Sequence, residues 1–385
     1  MLITNATLLT PTERIEAGAV RLAQGRITAV GSAANLPPLD KEPLFDAQEL
    51  ILAPGFIDLQ INGGGGHDFT QNPATIWQVA AQLPRYGVTS FLPTIISSPL
   101  TTIRAAQEAL QHKPASFQGA TPLGLHLEGP FLNRHKKGAH NSRYLQNPNL
   151  APAAAAPGWS PQNGVRLVTL APELPGALEL IRRLVANGVL VSAGHSLATL
   201  QEAEGAIQAG VRYGTHLFNA MPALHHRQPG LVAALLDDER ASVGVIADGV
   251  HVHPALLRLI WRLLGPQRLN LVTDAMAALG MPPGDYLLGG QTVSVDGQRA
   301  ILPDGTLAGS ILSLDAALRN LMRVTGCSPA DAIQTVTSTP ARLLNLDHRK
   351  GRIATGYDAD LVLLTADFKV TATVIGGRLV TQQHA

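Results

Sequence analysis

Glu128, His195, His216 and Asp274 each close a short apolar run, in "LGLHLE", "LVSAGH", "YGTH" and "LNLVTD". One carboxylate and two imidazoles suffice to hold a catalytic divalent ion, because three protein ligands leave a position open for the water that the ion activates. Asp274 beside such an ion would either ligate it or take a proton from that water and pass it to a leaving group. Each residue also has a plainer reading. A Glu at a strand end is commonly solvated or ion-paired, a single His is often structural, and Asp274 could cap a helix starting at "DAMAAL". Four such residues at the ends of four separate runs favour the catalytic reading taken together. Arg227, in "NAMPALHHRQPG", and His251, in "DGVHVH", suit an anionic substrate group, since arginine's fork matches phosphate or carboxylate. A solvated loop arginine is the alternative, and Lys136 and Lys137 in "KKGAH" read as solvated.

These residues need a scaffold that brings strand ends together. Apolar β runs fall at 56–61, 88–95, 123–127, 165–170, 189–193, 213–218, 243–247 and 269–273. Between them lie helical patterns such as "TTIRAAQEALQH", "LPGALELIRRLVANG" and "HPALLRLIWRLLG". Eight strands alternating with helices predict an α/β fold, a (β/α)8 TIM barrel over residues 54–345, whose chemistry sits at the C-terminal strand ends. A doubly wound open sheet also alternates in this way. Residues 1–53 and 346–385 are instead β-rich runs with Gly turns, which predicts one small β-sandwich domain built from both chain termini. Residues 281–307 read as an insertion with a hairpin in "QTVSVDGQRAIL", and "APAAAAPG" (151–158) as a surface linker. Glycines 63–66 are not followed by Gly-Lys-Ser/Thr, so they read as a tight turn and not a phosphate loop.

Composition narrows the class. With 45% hydrophobic and 15% charged residues the chain is globular. A net charge of +1 gives no electrostatic case for nucleic acid or an anionic membrane, and no run is long enough to span a bilayer. Cys327 is the only cysteine, so a metal must be held by some of the 13 histidines and by carboxylates. The start, "MLITNATLLTPTER", lacks the pattern of a signal peptide, which predicts a cytoplasmic enzyme.

The blocks "PGFIDLQINGGGG", "LHLEGPFL", "KKGAH", "GHS", "GTHLFNAMPAL", "DGVHV", "VTDAM" and "GTLAGS" together resemble the N-acetylglucosamine-6-phosphate deacetylase family of the amidohydrolase superfamily. They occur in the family's order from Pro54 to Ser310, and "HLEGPF" with "THLFNAM" is highly specific. The resemblance implies one divalent metal ion per chain on Glu128, His195 and His216, with Zn2+ favoured over Fe2+, Co2+ or Mn2+, and Asp274 as the acid/base. It further implies that His140, with Ala139 beside it, contacts the acetamido group, and that Asn219, Ala220, Arg227 and His251 hold the sugar phosphate. Leu307, Ala308 and Gly309 match a loop closing over the substrate. Family members form homodimers or homotetramers with the sugar phosphate near the subunit interface. Where the superfamily at large has His-x-His and two metals, this chain has Gln60 and Asn62, poor ligands for a transition ion, which places it with the one-metal members. The rivals are a deacetylase of the galactosamine epimer and a non-catalytic scaffold that has lost its metal.

Overall fold

The computed structural model describes residues 1–10, 13–148 and 158–382. Most of the expected linker at 151–158 therefore lies outside the described residues. Eight parallel strands form the barrel: β1 (Phe56–Ile61), β2 (Val88–Ile96), β3 (Leu125–Glu128), β4 (Val165–Leu170), β5 (Leu190–Ala193), β6 (Tyr213–Gly214), β7 (Ser242–Val245) and β8 (Leu269–Leu271). Each pairs with the next. The ring closes just beyond β8, where Asp274 N–H donates to the Gln60 carbonyl at 2.9 Å and Asn62 N–H to the Ala275 carbonyl at 2.7 Å. Every residue of β1 and β2 is buried, as strands covered on both faces must be.

The helices form where the apolar spacing placed them, at Leu100–Gln111, Ala177–Ala186 and Pro254–Arg268. In the second, Ala177, Leu180, Ile181 and Leu184 are buried, the i, i+3, i+4, i+7 stripe that faces a core. Two strands end well short of the sequence reading. The run at 213–218 is strand only to Gly214, because His216, Phe218 and Ala220 turn the chain with φ of 32°, 76° and 52°. The strand read over 269–273 stops at Leu271, and no helix follows Asp274. The N-cap reading of Asp274 therefore falls.

Both termini join one eight-stranded sheet, in which Ile51–Pro54 pairs antiparallel with Leu361–Leu364. The turn at Gly25 rests against the turn at Gly376, so this single sheet bends over its own core of Ile3, Leu8, Val20, Leu52, Leu363 and Val374. The expected sandwich is built by one continuous sheet folded over that core. The insertion after β8 is a three-stranded sheet of Gly284–Leu288, Gln291–Val295 and Ala300–Ile301. Of the four glycines after β1, Gly63 and Gly64 pair with His67 and Asp68 across a turn whose Gly65 and Gly66 have φ of 57° and 87°. A Cβ at Gly63 would lie 2.0 Å from the His67 carbonyl oxygen, so the turn requires glycine there. No helix among the described residues is long and apolar enough to cross a membrane.

Candidate active site

A cleft of about 310 Å³ opens at the C-terminal ends of the strands. Glu128 ends β3, and His195 and His216 follow β5 and β6 by two residues each. His195, His216 and Asp274 all take left-handed backbone, with φ of 50°, 32° and 49°. Such conformations are costly for non-glycine residues and persist where the surrounding fold over-determines them. Here they turn each side chain off its strand and over the barrel mouth.

Glu128 Oε1 lies 3.1 Å from His195 Nε2 and 3.0 Å from His216 Nε2, and the two Nε2 atoms are 3.1 Å apart. All three residues are buried. The Lys136 carbonyl sits 2.8 Å from His195 Nδ1 and can only accept, so Nδ1 carries a proton and the neutral ring keeps a lone pair on Nε2. Hydrogen bonds cannot satisfy three mutual contacts among such atoms, whereas one cation facing all three can. Ligand atoms of a tetrahedral zinc site with bonds of about 2.0–2.1 Å lie roughly 3.3 Å apart. The triangle therefore fits a divalent metal. Burial opposes ionisation of Glu128, yet its contacts with the two imidazoles outweigh it and hold the carboxyl well below its usual range. Ligands of a metal must be deprotonated, and this one is.

Asp274 faces the same cleft, raised to about 6 by burial and then by the Glu128 charge. Its Oδ1 accepts from Gln60 Nε2 at 3.1 Å and Asn62 Nδ2 at 2.8 Å, and Gln60 Nε2 also reaches Glu128 Oε1 at 3.2 Å. The two amides thus turn protons, not lone pairs, towards the carboxylates. They stabilise the negative charge of the two carboxylates without a cation at that position.

His140 stands across the cleft with Nε2 3.8 Å from Glu128 Oε2. Ser97 N–H donates to its Nδ1 at 3.2 Å, which leaves the ring proton on Nε2, pointing into the site. Burial, then the neighbouring His195, lowers this imidazole to about 3, so it is a neutral donor. On the other wall His251 Nδ1 pairs with Asp248 Oδ2 at 2.6 Å. Burial disfavours the Asp248 charge, but the His251 contact outweighs it and keeps the carboxyl below its usual range.

Of the residues singled out from sequence, Asn62, Glu128, Ala139, His140, His195, His216, Asn219, Ala220, His251, Asp274, Leu307 and Gly309 line the cleft. Gln60 lies just beneath it. Ala308 is buried behind the loop, its N–H bonded to the Ala300 carbonyl at 2.9 Å. Arg227 is exposed, with Nη1 2.8 Å from His226 Nε2, and is not part of the cleft wall. Lys136 is not simply solvated, because its ammonium donates to the Met221 carbonyl at 2.9 Å on the cleft wall. Sequence reading passed over Ile96, His135, Thr306 and Leu288, which also line it. Ile96 extends the run of β2 by one residue, and Leu288 arrives from the insertion, where no local pattern marks it.

Residues 51–380 match the amidohydrolase family. The N-acetylglucosamine-6-phosphate deacetylase of Bos taurus is 43% identical over 366 residues, covering 89% of each chain. The N-acetylgalactosamine-6-phosphate deacetylase of Escherichia coli O157:H7 is 39% identical, covering 97% of each. Among solved structures, a mutant N-acetyl-D-glucosamine-6-phosphate deacetylase from Mycobacterium smegmatis in complex with N-acetyl-D-glucosamine-6-phosphate superposes with a TM-score of 0.89 at 34% identity, covering 99% of both chains.

Proposed function

We propose that this chain, which belongs to the amidohydrolase family and within it to the N-acetylglucosamine-6-phosphate deacetylases, hydrolyses N-acetyl-D-glucosamine 6-phosphate to D-glucosamine 6-phosphate and acetate. The observation that carries this reading is the convergence of Glu128, His195 and His216 within 3.1 Å of one another beside Asp274. A divalent ion on those three side chains would supply Lewis acidity, making water nucleophilic at neutral pH. Zn2+ suits an N/N/O set best, with Fe2+, Co2+ or Mn2+ as substitutes. Asp274 takes a proton from the attacking water as its oxygen bonds to the acetyl carbon. The same carboxyl then protonates the amide nitrogen as the C–N bond breaks, so the amine leaves neutral. His140 Nε2–H donates to the acetyl oxygen as that oxygen gains charge.

His251, oriented by Asp248, holds the phosphate with Asn219 and the backbone at Ala220, while Ala139 and the 307–309 loop enclose the sugar. Phosphate binding thereby fixes the acetamido group over the ligand triangle. Arg227 stands outside its own chain's cleft, so we place it at the phosphate across a subunit interface, in a homodimer or homotetramer. Exposed Leu224, Leu256, Leu259 and Leu263 would supply apolar area for that contact. A cytoplasmic setting suits a chain whose single thiol, Cys327, is free.

The Escherichia coli relative supports a second reading, the galactosamine epimer as substrate. Acetate release from a panel of N-acetyl hexosamines, each with and without the 6-phosphate, decides between them. The glucosamine ester should be turned over fastest and the free sugars poorly. A faster galactosamine ester would select the second reading, and no acetate from any metal-loaded sample would overturn both.

A further inference from the structure

A second cavity, of about 670 Å³, lies where the bent sheet meets the barrel's N-terminal end, away from the catalytic mouth. Six cationic side chains line it, Arg26, Lys113, Arg166, Arg349, Lys350 and Arg378, against two acids, Asp358 and Asp360. The local surplus is four positive charges in a chain whose total is +1. The acids are already committed. Asp358 pairs with Arg26 at 2.6 Å, Arg349 at 2.8 Å and Lys350 at 3.1 Å, and Asp360 pairs with Lys350 at 2.5 Å.

Arg166, Lys113 and Arg378 have no carboxylate partner among the described residues. Arg166 is the telling one. It is half-buried at the start of β4, and burial pulls its proton affinity down. Its Nε donates to the Leu123 carbonyl at 3.0 Å, and its stem lies so close over Gly124 that a Cβ there would come within 2.5 Å of Arg166 Cγ. Gly124 has φ of 134°, so the backbone leaves room for this side chain and the Nε bond fixes its plane. A partly desolvated guanidinium with no counter-ion carries a cost, and one held rigid keeps its two Nη groups free for a planar, bidentate acceptor.

We infer that this cavity is a second binding site, for a small molecule carrying a phosphate ester or diphosphate, gripped by Arg166 with Arg378 and Lys113 around it. A phosphate dianion matches both the fork and the charge surplus, and the cavity has room for a nucleotide or a hexose bisphosphate. The site lies apart from the cleft, so its occupancy is independent of which hexosamine is hydrolysed.

Isothermal titration of the metal-loaded protein with ADP and with fructose 1,6-bisphosphate tests this. At least one should bind at one site per chain, more weakly as salt rises. Arg166→Gln should weaken that binding about tenfold or more. Arg378→Glu, at an exposed position that does not threaten folding, should weaken it too, and both variants should release acetate at the parent rate. Which probe binds identifies the source of the phosphate. Absence of binding by both probes at millimolar concentration, or binding that survives both substitutions unchanged, overturns the proposal.

Discussion

Asp274→Asn separates the chemistry from the architecture. Asp274 Oδ1 accepts from both Gln60 Nε2 and Asn62 Nδ2, and its backbone N–H and carbonyl tie β8 to Gln60 and to Ser310. An asparagine can turn its oxygen to the same two amides, so the contacts remain while the charge goes. Each charge-assisted bond, worth about 1.5–3 kcal/mol, becomes a neutral one of about 0.5–1.5 kcal/mol. Against that loss, the substitution removes a buried negative charge beside Glu128, the arrangement that raises Asp274 to about 6. The two effects oppose each other, and the melting temperature should shift by only a few degrees. Turnover should not survive in the same way, because asparagine neither accepts the water's proton nor returns one to the amine. General acid–base catalysis contributes about 10²–10⁴-fold, and one residue serving both transfers puts the loss at the upper end or beyond. The assay is kcat for acetate release, set beside thermal melting and the affinity of an unreactive substrate analogue. A variant that melts and binds like the parent and turns over within a few-fold of it would refute the proton-shuttle role.

His195→Ala or His216→Ala should release the metal, since two remaining ligands make a poor transition-metal site, and elemental analysis after dialysis against a chelator checks it. Arg227→Ala should lower kcat/KM for the 6-phosphate ester on the order of 10²-fold and leave the free sugar little changed; equal losses on both would make it structural. Asp58, buried beneath the site, is raised to about 7 by burial against the opposing Thr273 hydrogen bond. Its unfolded value is about 3.9, so across the interval between the two the folded state binds the extra proton. Its contribution to stability is therefore present at low pH and lost as pH rises through about 7. Denaturant unfolding of Asp58→Asn on either side of that pH should show a flatter decline than the parent.

The barrel was legible because its strands are apolar runs and its helices carry spaced stripes, as in Ala177–Ala186. The chemistry was legible because Glu128, His195, His216 and Asp274 stand at the ends of those runs. What the sequence does not show is the left-handed backbone that ends β6 early and turns His216 over the mouth, since no glycine marks it. Nor does local sequence reveal that the amides of Gln60 and Asn62 face Asp274, which depends on how β1 meets β8. The helix that "DAMAAL" could have begun, the alternative reading of Asp274, does not form, as Ala275 and Met276 are drawn into contacts with Asn62 and Ser310 instead. Arg227 shows the converse: its residue type suits phosphate, but only the structure shows that it lies outside its own chain's cleft.

The most direct measurement is a titration of metal-stripped protein with Zn2+, following acetate release from N-acetylglucosamine 6-phosphate. With one Glu-His-His ligand set among the described residues, activity should rise linearly from near zero and break at one equivalent. A break at two equivalents, or no acetate at any loading, would contradict a one-metal deacetylase.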